Sequence, residues 1–296
     1  MKYEFLKNGF LGTKNPPIKK TRVIIIPFGL EHSVSYGKGT SNGPKEIIKA
    51  SHQIELYDEE LNYEPYEQIG IRTLKSKNIP KKTNMALNDL EKRVLSVIGM
   101  NKLPITLGGE HTISISSIRA LKRKFKNFTI VHFDAHADLR NSYQGKKNSH
   151  ACVMRRCMEI ADVEVVSIGI RSLSKKERDF FEDNKNKIKI FWAKDKKKWK
   201  NIEKHIKGKN VYITFDLDAF DPSLIPATGT PEPGGLFWDE AIKIVKAIVL
   251  NSNIIGVDIN ELAPIKGMHS SNFIAAKLCY KIISYVFHYK KDNKRR

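Results

Sequence analysis

Residues 128–138 read FTIVHFDAHAD, and this stretch decides both the fold class and the chemistry. Residues 128–133 form a short apolar run, the kind that makes a strand covered on both faces. Asp134, His136 and Asp138 then occupy alternate positions. If the backbone stays extended, alternate side chains share one side, so two carboxylates and an imidazole converge where the strand ends. The competing reading is a polar loop of solvated charges that holds no metal.

The same plan recurs outward from this segment. Residues 23–28, 103–107, 163–170, 211–217 and 254–259 predict further buried strands, rich in valine and isoleucine and bounded by turn residues. Between them lie helical stripes. Leu87, Leu90, Val94, Val97 and Ile98 make one; Ala241, Val245, Ile248 and Val249 a second, behind the acidic first turn at Asp239 and Glu240. Ile274, Leu278, Ile282, Tyr285 and Val286 make a third. Alternating strands and helices predict an α/β domain with a mostly parallel central sheet. No linker or internal repeat divides the chain, so residues 1–296 are expected to form one domain. The lysine-rich residues 193–208 are expected to be a surface helix or loop.

Ligands of open α/β sheets bind beyond the carboxyl ends of the strands. The strand at 211–217 delivers Asp216, then Asp218 at the next alternate position, then Asp221 before Pro222, where a turn is expected. Like charges this close are costly unless a cation neutralises them. The strand at 103–107 ends in GGEHT (108–112), which places His111 near the start of the next helix. Four aspartates and two histidines suit two divalent ions. Oxygen-rich ligation with two imidazoles points to manganese over zinc. A hydroxide shared by two such ions is a strong nucleophile near neutral pH.

Composition sets the frame. The 296 residues are 41% hydrophobic, enough for a large core. Lysine and arginine number 52 against 32 acids, a formal charge of +20. The lysines lie in short scattered runs (19–20, 81–82, 175–176, 196–198, 290–291) with no nucleic-acid motif, so solvated surface is expected over nucleic-acid binding. Three cysteines with no framework spacing, no apolar leader and no span of ~20 apolar residues predict a cytoplasmic chain that crosses no membrane.

The chain resembles the ureohydrolases, the agmatinases, arginases and their relatives. The resemblance rests on GGEHT (108–112), FDAHAD (133–138), TFDLDAFDP (214–222) and DINELAP (258–264). Residues 35–51 and 229–236 are similar to the agmatinase branch in particular. The resemblance implies a three-layer α/β/α fold and assembly as a homotrimer or homohexamer. It implies that His111, Asp134, Asp138 and Asp216 hold one Mn2+ and Asp134, His136, Asp216 and Asp218 a second. It also implies that Asp138 orients the nucleophile, Glu261 grips the guanidinium and His150 carries a proton to the departing amine. Neighbouring His132 is expected to be a satisfied strand histidine.

The implied reaction is agmatine plus water to putrescine plus urea. Arginine, guanidinobutyrate, aminopropylagmatine and formiminoglutamate are alternative substrates, and a catalytically silent basic subunit is an alternative of another class. The loop 139–149 (LRNSYQGKKNS) is the discriminating segment. Lys146 and Lys147 would repel the ammonium of agmatine if they faced inward, and would matter little in water.

Overall fold

A computed structural model describes residues 4–292, with side chains through residue 289. The basic pair at 290–291 lies outside those side chains. Along the chain come β1 (Val23–Phe28), α1 (Gly43–Ser51), α2 (Pro65–Ile69), β2 (Ile71–Thr73), α3 (Thr83–Gly99), β3 (Leu103–Gly108), α4 (Ser114–Lys122) and β4 (Thr129–Phe133). Then come α5 (Val153–Ala161), β5 (Glu164–Ile170), α6 (Lys175–Asp183), β6 (Ile188–Trp192), α7 (Glu203–Ile206), β7 (Asn210–Asp216), α8 (Trp238–Asn251), β8 (Asn253–Asn260) and α9 (Ser270–Asp292).

The eight strands form one sheet in the order β2-β1-β3-β8-β7-β4-β5-β6, and every pairing is parallel. The pleat sends alternate side chains to opposite faces. In β1, Val23 and Ile25 enter a core shared with α1, α8 and α9, while Ile24, Ile26 and Phe28 enter one shared with α3, α4 and α5. The three-layer α/β/α architecture is thus the observed one. All six expected strands and the three striped helices form. The short edge strands β2 and β6 escape the sequence reading. They carry Arg72 and Lys189, and β6 is only partly buried, so neither is a continuous apolar run.

The basic runs at 19–20, 81–82, 175–176 and 196–198 are all exposed, as expected of solvated surface. Residues 193–201 form a 3-10 segment pinned by buried Trp199, and α7 follows. One lysine is different. Lys281 on α9 is 3% exposed, and its Nζ lies 2.9 and 3.1 Å from the two carboxylate oxygens of buried Asp58 and 3.3 Å from Glu60 Oε2. Removing one partner of a buried pair strands the other charge. Lys281→Met is therefore expected to cost about 3–5 kcal/mol in urea denaturation. A loss under about 1 kcal/mol would mean that Asp58 is hydrated after all.

Register decides what lies beneath the strand ends. His132 pairs with Ser167 on β5 and Thr214 on β7; Thr214 pairs with Asp258 on β8; Asp258 pairs with Thr106 on β3. One pleat further along the same face, Asp216 pairs with Asn260. A polar row thus crosses the middle of an otherwise apolar sheet, directly below the carboxyl ends.

Candidate metal centre

The expected ligands come from β3, β7 and β4, and Glu261 comes from β8; these are the four adjacent central strands. After β3 the chain turns at Gly108 and Gly109. A Cβ on Gly109 would stand 2.0 Å from the carbonyl oxygen of Leu30, so only glycine lets the loop after β1 close onto this turn. The turn delivers His111 to the start of a 3-10 segment, fully buried.

The structure brings all six expected ligands together. His111 Nδ1 lies 3.2 Å from Asp134 Oδ2, 3.3 Å from Asp138 Oδ2 and 3.3 Å from Asp216 Oδ2. His136 Nδ1 lies 2.9 Å from Asp218 Oδ2 and 3.5 Å from Asp134 Oδ1. Asp134 faces both groups. Backbone N–H groups set the carboxylates: His136 donates to Asp134 Oδ1, Ala135 to Asp218 Oδ1 and Asp218 to Asp216 Oδ1. The extended arm expected after β4 is not sustained. The strand stops at Phe133, and Asp138 takes a left-handed backbone with φ of 54°. That strain is of the kind held at functional sites. Here the Asp138 carbonyl is anchored by the N–H groups of Met154 and Arg155, and the side chain still reaches the cluster.

His111 tests whether a cation fits. Its Nε2 is 2.7 Å from Thr214 Oγ1, and the Thr214 hydroxyl donates to Asp258 Oδ1 at 2.6 Å. Thr214 has one hydrogen, so it accepts from His111, and Nε2 carries the ring proton. That assignment follows from the network. In the neutral ring Nδ1 is then a bare lone pair without a donor, buried among three carboxylate oxygens. Such an arrangement is repulsive unless a cation sits there, and it is the usual orientation of a metal-ligating imidazole.

The charges agree. Without a metal the same nitrogen would take a proton: burial opposes the imidazolium of His111, yet Asp134, Asp138 and Asp216 hold its pKa well above the ordinary value, so positive charge is called for at Nδ1 from a proton or a metal ion. Burial likewise opposes His136, and Asp218 and Asp134 push it up to about 12. Burial and the charges of Asp218 and Asp134 push the Asp216 carboxyl well above its usual range. Burial and Asp134 raise Asp138. Burial would raise Asp134 too, but the His132 charge and the bonds from His111 and His132 take it well below. Crowded carboxylates cannot all ionise in a dry site by themselves. The set His111, His132, Asp134 and Asp138 and the set Asp134, His136 and Asp218 are each close enough to hold a metal ion; the expected ligand Asp216 belongs to neither set and adjoins the first through His111, at 3.3 Å.

A cavity of about 280 Å³ opens beside the cluster, lined in part by His136, Asp138, Asp216, Asp218, His150 and Glu261. Glu261 is buried, has φ of 63°, and accepts the His111 N–H at 2.6 Å through Oε1. Burial, together with the Glu110 charge and against the His111 N–H, pushes its carboxyl well above the usual range. Neither Lys146 nor Lys147 lines the cavity. Both are exposed, and Lys146 Nζ donates to the His32 carbonyl at 2.7 Å. The cavity-lining Arg140 lies 3.5 Å from Glu177 and over the Tyr143 ring. Asp221 is the turn residue expected, accepting from the N–H groups of Ser223, Gly234 and Gly235.

Other contributors were missed in the sequence. His132 is a satisfied strand histidine, but its Nε2 partner, at 2.7 Å, is Asp134 Oδ2, with Ser167 Oγ 3.0 Å from Nδ1. The signal was available: His132 and Asp134 are two apart on one strand and so share a face. In the sequence Asp258 stands out only as part of the DINELAP motif. It is fully buried and also accepts from Ser114 Oγ, Tyr212 and Asn260. Arg171 donates to the Asp218 and Glu232 carbonyls, both at 2.7 Å, and so clamps the loop after β7. Its targets are carbonyls, which leave no trace in a sequence.

Comparison with known proteins agrees with this geometry. Residues 21–284 match the Arginase family. An N(1)-aminopropylagmatine ureohydrolase from Synechocystis sp. is 36% identical over 273 residues, 89% of this chain and 88% of that protein. An agmatinase from Bacillus cereus is 32% identical over 88% of this chain and 90% of that protein. The crystal structure of the agmatine ureohydrolase of Thermoplasma volcanium superimposes with a TM-score of 0.81 at 29% identity, covering 94% of each chain. With the match spanning both the sheet and the carboxylate–imidazole cluster at its carboxyl edge, the chain belongs to the arginase family and is a ureohydrolase.

Proposed function

We propose that this chain hydrolyses agmatine to putrescine and urea, and that it does so with two manganese ions. His111, Asp134, Asp138 and Asp216 would hold one ion, and Asp134, His136, Asp216 and Asp218 the other. The bare, buried Nδ1 of His111 among three carboxylates, in the same cavity as Glu261, is the observation that carries the reading. When bound, such ions supply a water of lowered pKa that can attack a guanidinium carbon.

The remaining work falls to the chain's own groups. Glu261 binds the guanidinium nitrogens through a charge-assisted contact and fixes the plane of the group. Asp138 holds the nucleophile in line through a hydrogen bond. His150, half-buried at the cavity wall, gives a proton to the departing amine, which would otherwise leave as an anion. The ammonium tail of agmatine meets no free lysine there. A carboxylate tail would meet only Arg140 as a guanidinium or ammonium partner among the described lining residues, and Arg140 is already engaged. That favours agmatine over guanidinobutyrate. We further propose that the chain works as one domain, in the cytoplasm, as a homotrimer or homohexamer; light scattering of the purified protein tests the assembly.

A second reading is N1-aminopropylagmatine, favoured by the Synechocystis relative. Urea release across agmatine, N1-aminopropylagmatine, arginine and 4-guanidinobutyrate, with separate formamide detection for formiminoglutamate, decides. The expected result is the highest kcat/KM for agmatine. A tenfold preference for the aminopropyl compound would assign the second reading. A preference for arginine or guanidinobutyrate would overturn both.

A further inference from the structure

The loop after β1 carries a residue that no motif marks. Ser33 is 5% exposed and reaches the cavity wall from a different part of the chain than His150. Its own position is set by Glu110, which is fully buried between Gly109 and His111. Glu110 Oε2 accepts the N–H groups of His32 at 2.7 Å and Ser33 at 2.6 Å, and Glu110 Oε1 accepts the Ser33 hydroxyl at 2.9 Å. The buried carboxylate therefore consumes the one hydrogen that Ser33 can donate.

Ser33 Oγ is left as an acceptor. The His150 N–H lies 3.1 Å from it and His150 Nδ1 3.2 Å from it. A hydroxyl already donating to a carboxylate can bond that ring nitrogen only if Nδ1 carries a hydrogen. Tyr143 meets the same ring edge-on, with centroids 5.7 Å apart and an interplanar angle of 78°. Ser149 Oγ also approaches Nδ1, but at 3.5 Å it is farther than Ser33 Oγ at 3.2 Å. The imidazole is thus held chiefly by the Ser33 acceptor and one aromatic wall, and Nε2 is the nitrogen left for the cavity.

We propose that Ser33 and Glu110 are positioning residues that lock His150 in the Nδ1–H tautomer, so that Nε2 is the atom exchanging a proton with the leaving amine. The proposal rests on the reading of His150 as that proton carrier. The GGEHT turn then serves two groups at once. His111 faces the ion cluster, while Glu110, one residue earlier, supports the acid–base group through the loop after β1.

The test separates the two ideas. His150→Ala is expected to lower kcat about 100-fold, the ordinary share of a positioned acid or base. Ser33→Ala keeps the backbone contacts to Glu110 and removes only the hydroxyl. It is expected to lower kcat about tenfold, with KM for agmatine and manganese content unchanged. If His150→Ala is impaired and Ser33→Ala matches the parent, the relay is wrong. If His150→Ala matches the parent, the proton-carrier reading itself is wrong. An independent readout needs no variant at Ser33. Nitrogen-15 spectra of histidine-labelled parent protein, loaded with a diamagnetic divalent ion and assigned with His150→Asn, report the tautomer directly. An Nδ1–H tautomer is expected, and an Nε2–H tautomer overturns the proposal even if Ser33→Ala fails to fold.

Discussion

Asp134→Ala is expected to release no measurable urea, a loss of at least about 1,000-fold, and to purify without manganese. The size of the effect follows from position. Asp134 is fully buried and is the residue common to both metal-capable groups. One oxygen stands 3.2 Å from His111 Nδ1 and the other 3.5 Å from His136 Nδ1. Its loss removes a ligand from each set, and it also strands His132 Nε2, whose hydrogen-bond partner it is. Stability supplies a second readout. A tightly bound ligand stabilises the folded state by about 2.7 kcal/mol at 100 times its dissociation constant. A chelator should therefore lower the melting temperature of the parent and leave that of Asp134→Ala where it was. Asp218→Ala should behave alike, because it removes the closest carboxylate to His136. Full metal content and normal turnover in either variant would refute the assignment of the centre.

Glu261→Gln should give the opposite combination: metal retained, turnover lost. The amide keeps an oxygen to accept the His111 N–H, so the turn that aims His111 survives. It cannot pair electrostatically with a guanidinium. Losing one partner of a buried, hydrogen-bonded charge pair costs about 3–5 kcal/mol, or at least about 100-fold in kcat/KM. Metal analysis and the urea assay on the same preparation are sufficient. Should Glu261→Gln lose its manganese as well, Glu261 would be part of the ion cluster and the guanidinium would be held elsewhere. Observing that contrast would exclude a catalytically silent basic subunit, for which neither variant would change any activity.

The two halves of the site differ in how they are written in the chain. Asp134, His136 and Asp138 stand within five residues at the end of one strand, and Asp216 and Asp218 repeat the pattern at another. Local spacing alone made these visible, because a strand end and its following turn are short-range objects. The apolar runs that fix the central strands were visible for the same reason. The edge strands β2 and β6 were not, since a strand with one wet edge need not be apolar throughout.

The strand ends, and the chemistry each one carries, are thus legible in the order of residues. Folding adds that β3, β8, β7 and β4 are neighbours, that Thr214 and Asp258 share a row that fixes the tautomer of His111, and that Ser33 meets His150 across 117 positions of chain. The reason is physical. Strand order and register are set by which apolar faces bury best together over the whole domain, and no window of residues contains that information.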